Sequence, residues 1–377
     1  MGLKKRVALY KRLEAHRGKP LIVYVTSTRQ NADAQIGSDV IPELLTQLQT
    51  LPVDAKDLDV LLVSNGGDGT VAWRIVSLIR ERVKHFSILI PYGAFSAATL
   101  IALGADKIVM HPHGNLGPTD PQIINMQKGI QFGAEDVQSF LRFAREEVHL
   151  TDQEHLRQLF SKFCEEAGFL AIGTGARSAQ LSRTMAEAML QLHMKDGTKS
   201  KQNAKAISEL LNTKFFHHGY PLNREEAKRI GLKIGKADKA TEELMWEIWK
   251  DIEADLKLRE PFLPMSLFKA DANCQALFAP VPQLSLPPGA PQPVVQMFAQ
   301  VLATQMATHV VPPTTFENTV GLMESARCGS RARVQGSIFA ARQPDLTFRI
   351  QIVPEAIGWV DAIFPAETPQ ISNETAT

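Results

Sequence analysis

The chain has 377 residues, of which 44% are hydrophobic and 21% charged, so it has enough apolar material for one large core. Lys and Arg number 41 against 40 Asp and Glu, which gives a net charge of +1. This balance gives no reason to expect nucleic acid or an anionic membrane as a partner, because phosphate binding normally shows as clustered basic charge. The basic segment 1–10 lacks the apolar run of about 7–15 residues that a secretory signal needs.

Two further features of the composition indicate a cytoplasmic protein. The three cysteines (Cys164, Cys274 and Cys328) are odd in number and far apart, so we expect reduced thiols and neither a disulfide framework nor a metal site. The nearly uncharged segment 87–105 contains Pro91 and is at the lower limit of length for a membrane span. We interpret that segment as a buried strand followed by a buried helix. No cofactor is expected.

Short apolar strands alternate with helices along the first part of the chain. The predicted strands are 21–27, 60–63, 86–90 and 107–110. The predicted helices are 40–51, 70–83, 94–103, 134–147, 152–167, 224–233 and 242–258. The tract 195–203 is polar and is expected to be mobile. Strands that are apolar throughout and alternate with helices indicate a largely parallel sheet covered on both faces.

The composition changes after this region and suggests four parts. Residues 1–262 are the main α/β domain, and 263–310 are a linker rich in Pro and Ala with room for one helix. Residues 311–366 alternate apolar and polar around turn signals at Gly329, Gly336 and Pro344, which predicts a small β-rich unit of unknown role. The tail 367–377 is predicted to be disordered.

Two turns carry the residues of most chemical interest. Gly66 and Gly67 follow a strand, and consecutive glycines free backbone N–H groups to point at a phosphate or an oxyanion. Ser96 lies at the start of the predicted helix 94–103. The first backbone N–H groups of a helix have no acceptor within the helix. A serine at this position is more often a helix cap, and a Gly-Gly turn alone is weaker evidence still.

Four segments in order, covering about 21–236, resemble one superfamily. The sequence SNGGDGTVAWRI resembles the Gly-Gly oxyanion turn of Clp-type proteases, and GAFSAATLIALGADKIVM resembles the nucleophile helix of Clp and signal-peptide-peptidase-A proteins. Gly66 and Ser96 are 30 residues apart, about the spacing in that superfamily. GNLGPTDPQI and KFFHHGYPLNREEAKRIGL resemble segments of the serine dehydrogenase proteinase family.

This resemblance implies a ClpP/crotonase-like spiral of β-β-α units, commonly assembled into homo-oligomers. It also implies an ATP-independent serine peptidase that acts on a peptide or protein substrate. By the resemblance, Ser96 is the nucleophile, and the N–H groups of Gly67 and Ala97, with that of Gly66, hold the oxyanion.

The catalytic base is not evident, although a serine hydroxyl needs one. Clp proteases place a His about 25 residues after the serine and an Asp later; those positions fall here near Pro118 and Phe215, where neither residue occurs. The lysine of the signal-peptide-peptidase relatives is missing from 131–149. Asp120 is interpreted as a turn cap. The remaining candidate bases, each of which has a commoner structural or exposed role, are Lys128, His111, His113, His217 and His218.

Three alternatives stay open. GGDGT at 66–70 is the nucleotide-binding signature of lipid kinases and NAD kinases, but Ala94 and Ser96 replace residues that their second loop requires. A crotonase acting on an acyl-CoA would need a glycine run where this chain has Phe95, and an active-site Glu. A catalytically inactive oligomeric scaffold of the same fold is favoured by the missing base.

Overall fold

A computed structural model describes residues 3–125, 129–194, 197–213, 215, 217–275, 277, 288–305, 309–343 and 347–362. The helices are α1 (Leu3–Arg17), α2 (Val40–Gln49), α3 (Gly69–Arg82), α4 (Ala97–Leu103), α5 (Ala134–Glu146), α6 (Gln153–Ala167), α7 (Phe169–Gln191), α8 (Thr198–Thr213), α9 (Arg224–Arg229), α10 (Lys239–Asp255), α11 (Pro264–Ala270), α12 (Ala272–Gln275) and α13 (Gln292–Gln305). The strands are β1 (Leu21–Thr26), β2 (Thr28–Arg29), β3 (Ala32–Asp33), β4 (Asp57–Val63), β5 (His85–Ile90), β6 (Gly93–Ala94), β7 (Lys107–Met110), β8 (Asn115–Leu116), β9 (Gln122–Asn125), β10 (Ile130–Gly133), β11 (Ile234–Gly235), β12 (His309–Val310), β13 (Thr314–Ser325), β14 (Gly329–Arg342) and β15 (Phe348–Asp361).

One large sheet organises the protein, in the order β11-β7-β5-β4-β1-β13-β14-β12, with β15 on β14. The strands from β11 to β1 are parallel, and those from β13 onward are added antiparallel. All six residues of β1 are buried, as are all but the first of β4 and β5. The prediction of a mainly parallel sheet with both faces covered is confirmed for this part of the chain.

The two faces of β1 contribute to two separate cores. Ile22 and Tyr24 point into the larger core, which α2, α3, α4, α7 and α8 complete. Leu21, Val23 and Val25 point the other way, against α1 and α10. This alternation follows from the two-residue period of a strand, and it places a helical layer on each side of the sheet.

A second, shorter ladder runs beside the main sheet. Ser64 pairs with Ala94, β6 pairs with β8, and Leu116 pairs with Leu222. Each of the strands β4, β5 and β7 therefore continues into a short extended segment, and after β4 and β5 this leads directly into a helix. The mixed α/β class with repeated β-β-α units, predicted by the resemblance, is confirmed.

The predicted β-rich unit at 311–366 extends the central sheet instead of folding apart from it. β13 pairs antiparallel with β1, with Ile22 opposite Ser325 and Thr26 opposite Gly321. The edge of β1 needs a partner for its backbone groups, and β13 supplies it. The expected turn at Gly336 is wrong, because this residue lies within β14. A Cβ there would lie 2.5 Å from the Val353 carbonyl oxygen, so close strand approach requires the glycine.

Other expectations fare differently. The polar tract 195–203 was expected to be mobile, but 198–203 are the first two turns of α8, which buries Ala204, Ile207 and Leu211 on one face. The long helix α7 is absent from the sequence prediction, since its Gly, Ala and Ser residues leave no clear apolar stripe. Within the described ranges, no helix has both the length and the apolarity to cross a membrane. Residues 278–287 of the linker, Pro344 and the tail 367–377 lie outside the described residues.

Candidate active site

Ser96 lies on a strained turn between β6 and α4. Its φ of 52° and ψ of −118° are outside the regions that L-residues favour, and such a conformation costs about 1–3 kcal/mol. Ser96 is the residue just before α4, but its hydroxyl makes no capping hydrogen bond. The common structural role of a serine at a helix start is therefore not the one it has here. The side chain is half-buried.

The Gly66-Gly67 turn packs directly against Ser96. Gly66 has φ 108°, and a Cβ added to it would lie 2.6 Å from Ser96 Cβ and 2.8 Å from the Phe95 carbonyl oxygen. Gly67 has φ 147°, and a Cβ on it would lie 2.4 Å from the Ile36 carbonyl oxygen. Both positions require glycine for conformation and for space. Two loops 30 residues apart in the chain thus converge on one hydroxyl.

Three amides predicted to hold an oxyanion differ in their availability. The Gly66 N–H donates to Ser64 Oγ at 3.0 Å, so it is already engaged. Ile36 bonds to the residues on either side of Gly67, which turns the N–H of Gly67 away from that segment. Ala97 is the first residue of α4, where a backbone N–H has no helical acceptor. Within the described residues, the N–H groups of Gly67 and Ala97 have no acceptor.

Ser96 opens into a cleft of about 440 Å³. The Gly66-Gly67 turn and Ala97 line one part of it, and α7 lines another with Ser178, Leu181, Ser182 and Met185. A Cβ on Gly69 would lie 2.8 Å from Met185 Cε, so α7 is in close contact with the start of α3. His218 lines the same cleft.

His218 is paired with a carboxylate. Its Nδ1 lies 3.0 Å from Asp120 Oδ1, and the two side chains are 31% and 16% exposed. The other oxygen of Asp120 accepts from Gln122 Nε2 at 3.2 Å. When Nδ1 carries the proton it donates to Asp120, and Nε2 is then the nitrogen left to accept a proton. Ser96 and the His218–Asp120 pair line one cleft, and serine, imidazole and carboxylate are the groups of which catalytic triads consist.

Hydrogen bonds fix the loop that carries Asp120. The Thr119 carbonyl accepts from Ser182 Oγ at 2.6 Å, and Thr119 Oγ1 accepts from Asn212 Nδ2 at 2.9 Å. Leu116 and Leu222 exchange both backbone hydrogen bonds, at 3.0 and 2.8 Å. Helices α7 and α8 thus hold the loop that carries Asp120. The short ladder anchors the segment that carries His218.

The other candidate bases lie elsewhere or have other partners. His111 and His113 both pack on Trp246, with ring centroids 5.0 Å away, and neither lines the cleft. Burial lowers the pKa of His111, and the neighbouring His113 lowers it further. His217 Nδ1 accepts from the Gly219 N–H at 3.0 Å. Lys128 lies outside the described residues.

Asp120 was not among the candidate site residues of the sequence analysis. It was interpreted as a turn cap, whereas its carboxylate is bonded to two side chains, one of them 98 residues away. The segment GPTDPQI, already notable for its resemblance, was the available signal. No group of three or more His, Cys, Asp or Glu suited to a metal ion occurs in the part of the chain that the structure describes.

Comparison with known proteins supports the same family. The profile of the ClpP-like SDH-type serine proteinases matches residues 3–134, which include the Gly66-Gly67 turn, Ser96 and Asp120. Residues 3–134 carry the sequence signature of this family. The predicted resemblance to the SDH-type (serine dehydrogenase) proteinases is therefore confirmed over this segment.

Two uncharacterized proteins of Methanocaldococcus jannaschii are similar over longer stretches. One is 25% identical over 202 residues, which are 51% of this chain and 58% of that protein. The other is 25% identical over 239 residues, which are 61% of this chain and 71% of that protein. The match thus spans less than two thirds of the first relative.

Solved structures of a membrane-bound stomatin-specific protease are also similar, with a TM-score of 0.36. A serine-to-alanine mutant shares 18% identity and covers 59% of this chain and 82% of its own. A lysine-to-alanine mutant with a substrate peptide shares 20% identity and covers 59% and 78%. At this TM-score and identity, the two structures add nothing to the resemblance found over residues 3–134.

Proposed function

We propose that this protein is a serine peptidase in which Ser96 is the nucleophile, His218 the general base and Asp120 the group that orients His218. One observation supports this most strongly: the strained Ser96, the glycine turn and His218 line a single cleft. The substrate is a peptide or protein segment, and the expected homo-oligomer and cytoplasmic location are part of the same proposal.

The first half-reaction follows from these positions. His218 Nε2 takes the proton of Ser96 Oγ as the oxygen bonds to the scissile carbonyl carbon. The N–H groups of Gly67 and Ala97 donate to the resulting oxyanion, a role worth about 10²–10³ in rate per donor in other enzymes. The C–N bond then breaks, and the protonated His218 gives its proton to the leaving amine.

The second half-reaction uses the same groups. Water gives a proton to His218 as its oxygen attacks the ester carbonyl on Ser96. The bond between the acyl carbon and Ser96 Oγ breaks, and the proton returns to Oγ. Asp120 stays ionised throughout and stabilises the imidazolium.

The triad has an unusual order along the chain. Asp120 lies 24 residues after Ser96, about where Clp proteases have their histidine, and His218 lies near the position of their aspartate. The base and its orienting carboxylate have thus exchanged places in the sequence. The chemistry depends on geometry and not on chain order, as unrelated triads illustrate.

The kinase alternative is disfavoured by the backbone of GGDGT. A phosphate-binding loop needs free amides, but the Gly66 N–H donates to Ser64 Oγ and the Asp68 N–H donates to the Ile36 carbonyl at 2.9 Å. The Asp68 carboxylate accepts from the N–H and hydroxyl of Thr70, both at 2.7 Å. Three of the five amides of GGDGT, those of Gly66, Asp68 and Thr70, therefore already have acceptors within the protein.

A fluorophosphonate probe tests the proposal, because it phosphonylates an activated serine. We expect labelling of the protein, none of Ser96→Ala, and a fall of about 10³-fold or more in labelling rate for His218→Ala. The adjacent His217→Ala is the matched control and should label like the parent. An unlabelled parent that forms stable oligomers would instead support the inactive scaffold, and equal effects of the two histidine variants would refute His218 as base.

A further inference from the structure

A second cavity of about 280 Å³ adjoins the cleft that contains Ser96. The two spaces share Gln122 and His218 as lining residues, so they meet at the imidazole. Ser96 does not line the second cavity. A substrate whose scissile bond lies at Ser96 therefore has room for one of its other side chains beyond His218.

Two carboxylates are among the polar groups of this cavity. Asp120 and Asp136 line it, and no Lys or Arg does so among the described residues. Asp136 Oδ2 accepts from the Gly133 N–H at 2.6 Å, which leaves Oδ1 without a partner in the described structure. The negative charge of the two carboxylates exceeds the positive half charge at the N-terminus of α5, where Asp136 lies.

Asn212 provides an independent observation. Its side chain is only 4% exposed, and it lines the cavity. Nδ2 donates to Thr119 Oγ1 and to the Ser208 carbonyl, both at 2.9 Å, which fixes the orientation of the amide. Oδ1 has no donor within the described residues. A buried acceptor without a donor is unfavourable, so an N–H group that reached Oδ1 would stabilise it.

Part of the remaining wall is apolar, although Ser139, Thr213, His217 and His218 also line the cavity. Phe132, Leu211 and Phe215 line the cavity, and Phe215 is held by stacking on Tyr220 with ring centroids 4.8 Å apart. Apolar walls with acceptors suit a ligand that has an aliphatic stem and a cationic, donor-rich end. We propose that this cavity binds a lysine or arginine side chain of the substrate, a step that relies on the proposed peptidase function.

Peptide series with matched side chains test this inference. In quenched fluorescent peptides, one position at a time carries Lys, Arg, norleucine, citrulline or Glu, and mass spectrometry locates each cleavage. We expect one position at which Lys and Arg raise kcat/KM about three- to fivefold over norleucine and citrulline, the range of a partly exposed ion pair. Asp136→Asn should abolish the preference for Lys and Arg at this position. Asp136→Lys should reverse it, so that the Glu peptide has the higher kcat/KM.

Glu81→Lys is the control for the change in net charge, since Glu81 is exposed and lines neither cavity. It should leave the ratio unchanged. No preference for Lys or Arg at any position, or a preference that Asp136→Asn and Asp136→Lys leave intact, would overturn the inference.

Binding to Ser96→Ala separates this inference from the proposed chemistry. By fluorescence polarisation, the Lys peptide should bind this variant about three- to fivefold more tightly than the norleucine peptide, and Ser96→Ala with Asp136→Asn should bind them equally. If the parent fails to label but this preference holds, the peptidase proposal fails and the subsite stands. If the parent labels and cleaves but neither peptide is preferred, the subsite fails alone.

Discussion

Polar groups are buried or half-buried in two regions, at the ends of the parallel strands and at the junction of α1 with β13. The two regions differ in whether these groups have hydrogen-bond partners inside the protein. At the strand ends, the hydroxyl of Ser96 and the N–H of Gly67 face a cleft and have no acceptor or donor in the described structure. At the junction, Arg6 is fully buried and bonds to Glu324 at 2.9 Å and Asp251 at 2.9 Å.

Further hydrogen bonds and ion pairs engage the polar groups of the junction. Tyr10 donates to Glu324 Oε2 at 2.8 Å, and Asp255 accepts from Arg6 and from Arg331 at 2.8 and 2.7 Å. Burial opposes the charge of Arg6, but the hydrogen bond and charge of Glu324 keep the pKa of Arg6 above its ordinary value. The comparison teaches that bonds made inside the protein indicate a structural role, while free groups beside a cavity indicate one towards a ligand.

The largest effect is expected from the pair beside the cleft. Asp120→Asn keeps the size of the side chain but no longer holds the proton on His218 Nδ1, so kcat should fall about 10³–10⁴-fold with little change in melting temperature. Peptide hydrolysis and thermal unfolding together measure this. Asp54→Asn, at an exposed carboxylate that does not line the cleft, should alter neither. A loss of stability that accompanies the loss of rate would make Asp120 a structural residue.

The next effect tests the junction. Glu324→Ala removes one partner and leaves Arg6 and Tyr10 buried without it, so the free energy of unfolding should fall by about 3–5 kcal/mol. Glu317→Ala is the control, because its ion pair with Arg333 is exposed and should contribute no more than about 1 kcal/mol. Denaturant titration gives both values. If the two substitutions cost the same, the junction is no more important to stability than a surface pair.

Ser64 has features of both regions, because it is fully buried yet supports the Gly66-Gly67 turn. Its Oγ accepts from the Gly66 N–H and, at 2.7 Å, from Thr26 Oγ1. Ser64→Ala should cost about 1–2 kcal/mol and slow fluorophosphonate labelling about tenfold, since the turn loses an anchor. Thr26→Val leaves the bond to Gly66 in place and should slow labelling less than about twofold. Equal slowing by the two would show that the anchor is unimportant.

The sequence predicted the site best where the signals are local. Gly66, Gly67 and Ser96 are found because glycines after a strand and a small residue before a helix leave a mark within a few positions. The pairing of His218 with Asp120 joins residues 98 apart, and neither residue has a local pattern that indicates the other. In the proposed triad both residues lie near the positions of the Clp histidine and aspartate, but the residue types are exchanged, so a search for the Clp order misses them.

The same limit applies to the fold. The alternation within 311–366 indicates β-structure, but nothing in it specifies that β13 pairs with β1, nearly 300 residues earlier. Arg6 belongs to the basic segment 1–10, and nothing local predicts its burial. That burial depends on Glu324, 318 positions away. Local periodicity therefore predicts elements, and only the folded chain identifies the partners that make a buried charge tolerable.

The smallest effect concerns pH. Burial lowers the pKa of His193, and the nearby charge of Lys233 lowers it further, against the hydrogen bond to the Leu103 carbonyl. Below pH of about 6.5, the unfolded chain takes up a proton more readily than the folded protein, so stability falls as the pH is lowered from there towards the folded pKa. His193→Gln retains a donor for Leu103 and should flatten this slope, whereas the exposed His85→Gln should not. Urea unfolding between pH 5 and 7.5 measures the slopes, and an unchanged slope in His193→Gln would show that the buried imidazole does not contribute to it.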